Sequence, residues 1–328
     1  MPVAPPNPGV LSWLKLTIAW TVFRIVRVCE RILPPRLLSL LLWPPAAAYD
    51  LLQVRQRAPM ASWARFPASW RAKCWRYWFR QAFGLYHSQL FYMWPDRLTE
   101  KRWRNRCRFE GLSNLTPSEE GNRGVVLASL HYGPFEIMPY WLRAHGIVAT
   151  SLRTSPPAVL RKLTDYQYSL SPPADVPVFI HAEDLTPLPR ISHLRNILGP
   201  GRRLLVMVDP VRGLQVDVPF EDRIFRMSTG AIRMAAMTNA DLVPCLIAET
   251  SVWQFTIHFG KPIPRELLAK SPDMQAIGAH LLKEFSEVIR RYPAQCKMRL
   301  SRSMWPLPEE ASAIPPAAAE RAELRKPT

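Results

Sequence analysis

His131 and Glu136 stand five positions apart in the stretch SLHYGPFEIM, residues 129–138. These are residue types for general-base chemistry. An imidazole takes a proton, and a carboxylate orients it and stabilises the cation that forms. The same two residues could also ligate a metal, or be two polar groups at a turn. On a continuous α-helix, five residues at about 100° each leave their side chains roughly 140° apart. The pair can therefore serve one substrate only if the backbone between them is not simply helical. Gly133 permits a tight turn there, and Pro134 suits the first position of a helix. Glu136 then falls in the first helical turn, where the helix dipole favours a carboxylate.

Such a pair brings no nucleophile of its own, so a hydroxyl of the substrate would attack directly. The chain has no GxSxG nucleophile elbow. HxxxxE is not the HExxH helix pair, and no third His, Asp or Cys ligand stands nearby in sequence. On spacing alone a general-base dyad, a structural turn and a metal site all remain open.

The elements that must position the pair can be read from periodicity. GVVLASL (124–130) is a short apolar, β-branched run that predicts a buried strand, which puts His131 on the loop at its C-terminal end. Further strands are expected at 146–152, 176–180, 203–209, 241–248 and 252–260, and helices at 134–145, 157–170, 187–198 and 228–239. A last helix over 273–291 carries Met274, Ile277, Leu281, Phe285 and Ile289 at helical spacing. Alternating strands and helices predict an α/β domain with its sites on loops that follow strands.

The net charge of +17 is concentrated at the N-terminal side. Residues 1–110 hold 18 Lys/Arg against 5 Asp/Glu, and no acidic residue lies between Asp50 and Asp96. Such a surface seeks phosphates: nucleic acid, anionic headgroups or an acidic protein. The run 11–33 is apolar but interrupted by Lys15, Arg24, Arg27, Glu30 and Arg31. The next, between Arg36 and Asp50, is short and contains a Pro pair. Neither offers the roughly 18 nearly charge-free residues of a spanning helix, so an amphipathic helix at the bilayer interface fits better. Over 62–83, Trp63, Trp70, Trp75 and Trp78 alternate with arginines, the composition of a headgroup-level belt. The competing reading packs these Trp into a core. No nucleic-acid motif accompanies them, which favours lipid over nucleic acid. Five scattered cysteines, never in CxxC spacing, argue against a disulfide framework and for a reducing compartment. The start MPVAPPNPGV lacks the features of a secretory signal peptide. The organisation expected is a basic, Trp-rich, membrane-associating helical region over 1–110, an α/β catalytic domain over 111–304 and a Pro/Ala-rich tail over 305–328, disordered by composition.

LHYGPFE resembles the HxxxxE signature of the late lipid A acyltransferases, the lauroyl/myristoyl-transfer branch of the glycerolipid acyltransferase superfamily. Pro134 and Phe135 stand where members of that family commonly carry Asn and Trp. Further blocks follow in the family's order: SLRTSPP with Arg153, LLVMVDPVRGLQVDVPF with Asp209, Gly213 and Val218 to Phe220, RMSTGAIRMAAMTNADLVPC with Thr229 to Ala231, and LLKEFSEVIRRYPAQC, in which Cys296 replaces a Trp. Pro210 stands where Gln is usual. The resemblance spans about residues 10–305.

It implies an acyltransferase-type fold, a mixed sheet flanked by helices, at the cytoplasmic face of a bacterial inner membrane. It also implies transfer of an acyl chain from acyl carrier protein, or less often acyl-CoA, to a hydroxyl of a lipid A precursor. His131 would be the general base and Glu136 its orienting partner. Arg153 would bind phosphate or hold the acceptor, Asp209 would support it, and backbone N–H groups near Gly230 would serve phosphate or oxyanion. No metal or organic cofactor is implied, because a thioester is already activated. Arg153 also reads as a solvated strand-end charge, and Asp209 as the cap of a turn at Pro210. The departures keep open a different acceptor, such as another glycolipid or a lysophospholipid. A non-enzymatic basic binder is the reading from another class.

Overall fold

The computed structural model describes residues 21, 24–25, 28–29, 31–34, 37–38, 40–41, 65–71, 100–115, 123–153, 179–181, 196–209, 213–251, 253–268, 272–296 and 298–307. Among the described residues ten strands follow one another: β1 (Cys107–Glu110), β2 (Val125–Ser129), β3 (Ala149–Arg153), β4 (Phe179–His181), β5 (Arg203–Met207), β6 (Gln215–Phe220), β7 (Arg223–Ser228), β8 (Asp241–Ser251), β9 (Gln254–Phe259) and β10 (Met304–Pro306). Three longer helices are α1 (Met138–Ala144), α2 (Gly230–Thr238) and α3 (Met274–Arg291).

Seven strands form one sheet in the order β1-β9-β8-β2-β5-β3-β4. All neighbours are parallel except β8 and β9, so the sheet is mixed, as expected. A parallel strand in mid-sheet is covered on both faces and reads as a continuous apolar run, which is why GVVLASL shows no polar alternation. Val126, Ala128 and Leu130 join Leu204, Val206, Leu242 and Leu246 in a cluster closed by Ile232, Ile277, Leu281 and Phe285 of α2 and α3. Val125 and Leu127 point the other way, joining Leu205, Val243, Cys245 and Ile247 with Met138, Trp141 and Leu142 of α1. Each Val, Leu, Ile, Phe or Met side chain among them, fully buried, is worth about 1.5–3 kcal/mol.

Asp273 caps the start of α3, its carboxylate accepting from the N–H groups of Gln275 and Ala276, a cap worth about 1 kcal/mol. α2 ends on Asn239 in the left-handed region at φ 56°. The second sheet, β10-β7-β6, is antiparallel and was not expected from sequence. Its hairpin turns at Glu221–Asp222 with Glu221 at φ 54°, a turn with neither Gly nor Asn to announce it.

The strand β1 pairs with β9 and lies before residue 111, so the α/β body draws on the chain ahead of that boundary. Phe66 and Trp70 do too: Trp70 is fully buried, with ring centroids 5.9 Å from Phe66 and 5.5 Å from Phe220. For Trp70 the core reading is the one observed. Trp63, Trp75 and Trp78, the helix expected at 157–170 and the tail from 308 onward lie outside the described residues. No helix among the described residues is long and apolar enough to cross a membrane.

Candidate active site

Leu130 and His131 continue from the end of β2 into a turn. Gly133 makes that turn at φ +54°. An added Cβ there would stand 2.3 Å from the carbonyl oxygen of Ile247 on β8, so only glycine fits. The Gly133 N–H donates to the Gln295 carbonyl at 2.9 Å, and Tyr132 forms an isolated antiparallel bridge with Cys296. His131 is 6% exposed.

The helix expected to begin at Pro134 begins later. Pro134 has φ −84° and ψ 47°, which is not helical, and a 3-10 turn over Phe135–Ile137 follows. Glu136 lies in that turn, and α1 starts at Met138. Pro139 explains the delay: it has no N–H to give the Phe135 carbonyl four residues back. The Met138 N–H bonds that carbonyl instead, in 3-10 fashion. The break between His131 and Glu136 that the spacing demanded is present, built from a turn and a 3-10 segment.

A carboxylate does lie on the imidazole, that of Asp209, which the resemblance had given a supporting role. Asp209 Oδ1 lies 2.8 Å from His131 Nδ1 and accepts the His131 backbone N–H at 3.1 Å. Asp209 is fully buried, and its Oδ2 has no partner among the described residues. With Nδ1–H given to a carboxylate, Nε2 is the basic nitrogen of the ring. The Phe135 and His131 rings meet in a T-shaped contact at 4.6 Å between centroids. Two β-type bonds bring the carboxylate there: Val208 N–H donates to the Ser129 carbonyl and Ser228 N–H to the Val208 carbonyl, both at 2.8 Å. The same links place the start of α2 beside the site. Gly230 is its first residue, and a Cβ there would meet nothing nearer than Ser228 Oγ at 3.6 Å. Arg153 closes β3 and pairs in register with His181 on β4, at the edge of the sheet where β2 and β5 also end. Pro210 lies outside the described residues.

Three features went unread in the sequence. Gln295 holds Glu249 through both ends of its amide, Oε1 accepting the Glu249 N–H at 2.9 Å and Nε2 donating to the Glu249 carbonyl at 2.7 Å. Ser303 Oγ donates to the Asp209 carbonyl at 2.6 Å. His258 pairs through Nδ1 with Glu110 Oε2 at 2.9 Å across the parallel β1–β9 pair. Asp209 itself had a signal: a carboxylate directly after the apolar run RLLVMV, at the strand end next to that of His131. Cys296 is fully buried, and burial pushes its thiol far above the ordinary range, so it stays neutral.

The model of the bacterial lipid A biosynthesis acyltransferase family matches residues 79–302. No curated individual protein matches the chain. With most of its length matched, the chain belongs to that family and is an acyltransferase.

Proposed function

For this member of the lipid A biosynthesis acyltransferases, we propose transfer of a fatty acyl chain from an acyl thioester to a hydroxyl of a lipid A precursor. Acyl carrier protein is the preferred donor carrier. The observation that carries the mechanism is Asp209 Oδ1 at 2.8 Å from His131 Nδ1, which leaves Nε2 as the base. Nε2 removes the proton as the acceptor oxygen attacks the thioester carbonyl. The tetrahedral intermediate collapses, the C–S bond breaks, and the departing thiolate takes the proton back from His131. Asp209 stabilises the imidazolium formed in between.

N–H groups at the start of α2 near Gly230 would serve the developing oxyanion or a phosphate. Arg153 would hold an acceptor phosphate, and Glu136 acts beside the base. The thioester arrives activated, so the reading requires no metal or organic cofactor. The basic N-terminal region suits the anionic headgroups of the cytoplasmic face of an inner membrane and an acidic carrier protein.

A different acceptor, such as another glycolipid or a lysophospholipid, is the second reading. It is favoured by Pro134, Phe135 and Cys296 standing where the family pattern has other residues. Mass spectrometry of lipid A and total lipids, with and without the active chain, separates the two. One additional acyl chain on lipid A that His131→Ala fails to add is the expected result. Unchanged lipid A with another lipid gaining an acyl chain would favour the second acceptor, and activity surviving in His131→Ala would remove the base.

A further inference from the structure

Both halves of the His131–Asp209 pair sit on loops at strand ends, and loops left to themselves do not hold a 2.8 Å contact. What fixes them comes from outside the strands and from one short stretch of chain. After α3 the chain gives the Tyr292 carbonyl to Tyr132 Oη at 2.9 Å and the Gln295 carbonyl to the Gly133 N–H at 2.9 Å. Cys296 bridges Tyr132. The Gln295 side chain is itself locked by its two bonds to Glu249 on β8. Its Oε1 lies only 3.0 Å from where a Cβ on Gly133 would stand, so it packs directly under the turn. Farther on, fully buried Ser303 donates to the Asp209 carbonyl, while its own carbonyl accepts the Arg226 N–H of β7 at 2.7 Å. One segment thus grips the histidine's loop at one end and the aspartate's backbone at the other.

We propose that residues 292–296 and 298–303 form a brace that sets the His131–Asp209 geometry, with Gln295 and Ser303 as its positioning residues. Neither side chain bonds the imidazole. Each acts through the backbone that carries one member of the pair, and the consequence for catalysis rests on His131 being the base. Displacing a reacting group by about 1 Å can cost on the order of 100-fold in rate without weakening substrate binding. The brace should therefore show itself in kcat and not in KM.

The test is Gln295→Ala and Ser303→Ala in the full chain, with Gln295→Glu as a milder variant that keeps the acceptor for the Glu249 N–H. Acyl transfer kinetics, thermal melts and the ring-nitrogen NMR resonances of His131, assigned by their loss in His131→Ala, are read together. The expected result is a kcat lower by about tenfold or more with KM within about twofold, a nearly unchanged melt and a displaced His131 Nδ1 signal. Wild-type kcat and a wild-type His131 signal in both alanine variants would overturn the brace, as would activity that merely tracks the folded fraction. If the unmodified chain acylates no hydroxyl at all, the functional reading fails, and the His131 resonance alone still decides the brace.

Discussion

Asp209 and His131 are 78 positions apart and are joined twice through a single oxygen: Asp209 Oδ1 meets both Nδ1 and the backbone N–H of His131. One atom therefore fixes the ring's tautomer and the backbone that carries it. Asp209→Asn keeps the shape but removes the charge that stabilises imidazolium. It is expected to lower kcat by about 10²–10⁴ with little change in KM. Glu136→Gln in the same assay is the comparison. If Glu136 is the carboxylate that matters to the imidazole, the large loss moves to that variant and Asp209→Asn stays near wild type.

Gly133 carries two constraints at once, a positive φ and the Ile247 carbonyl oxygen 2.3 Å from any added Cβ. Left-handed backbone alone costs a non-glycine residue about 1–2 kcal/mol, and the contact is with backbone, which cannot swing aside. Gly133→Ala should destabilise the chain by at least about 2 kcal/mol and lower kcat at temperatures where it remains folded. A denaturant melt superimposing on wild type would show that the turn relaxes at no cost.

How far the sequence reached follows from what kind of information each feature needs. β2, β5, β8, α2 and α3 were legible because each buries a run or stripe whose period is local. The delayed start of α1 was legible in principle, since Pro139 was in view, but Pro134 gave the more familiar signal. The β6–β7 hairpin hid because Glu221 takes a left-handed turn without glycine, and Val218 is the only fully buried side chain of β6. Asp209 as the partner of His131 was not legible. Choosing between Glu136 and Asp209 needs the register of β2 on β5, which brings Ser129 opposite Met207. No pattern within either segment encodes that pairing. Gln295 acts through its backbone carbonyl and its amide together, and neither leaves a mark in residue spacing.

His258 gives a pH dependence of stability with a definite sign. Burial, the largest cause, holds its imidazole below the ordinary value of 6.5. Arg291 pushes the same way, and Glu110 partly opposes both. Its Nε2 is buried without a partner among the described residues, so the added proton has nowhere to go. Between the folded pKa and 6.5 the unfolded chain binds a proton that the folded chain refuses. Stability is then complete above pH 6.5 and is lost as pH falls through that window. The melting temperature should drop on acidification from about 6.5, and His258→Gln should flatten that limb. A limb equally steep in the variant would assign it to other groups. Asp217, held low chiefly by its hydrogen bond from Arg226, acts in the same sense but only below the usual carboxylate value of 3.8.

In the N-terminal region exposed apolar residues and core-facing ones can be told apart. Ile25, Val28 and Ile32 recur at i, i+3 and i+7 on one helical side and are 55%, 57% and 74% exposed. Cys29 and Leu33, on the flank next to that ridge, pack against the core cluster beneath α1, and Leu38 is fully buried. Arg24 and Arg31 are exposed beside the apolar ridge, the arrangement of a helix lying in a headgroup layer. Trp70 belongs to the core. Replacing Ile25, Val28 and Ile32 together by serine should reduce partition onto anionic vesicles by about 100-fold, on the order of 1 kcal/mol per side chain, and leave the melt nearly unchanged. Trp70→Ala should do the reverse, costing about 3–5 kcal/mol of stability while its folded fraction partitions as wild type does. Wild-type vesicle binding by the triple serine variant would remove this ridge from the membrane contact. A binding loss in Trp70→Ala without a loss of stability would return Trp70 to the lipid surface.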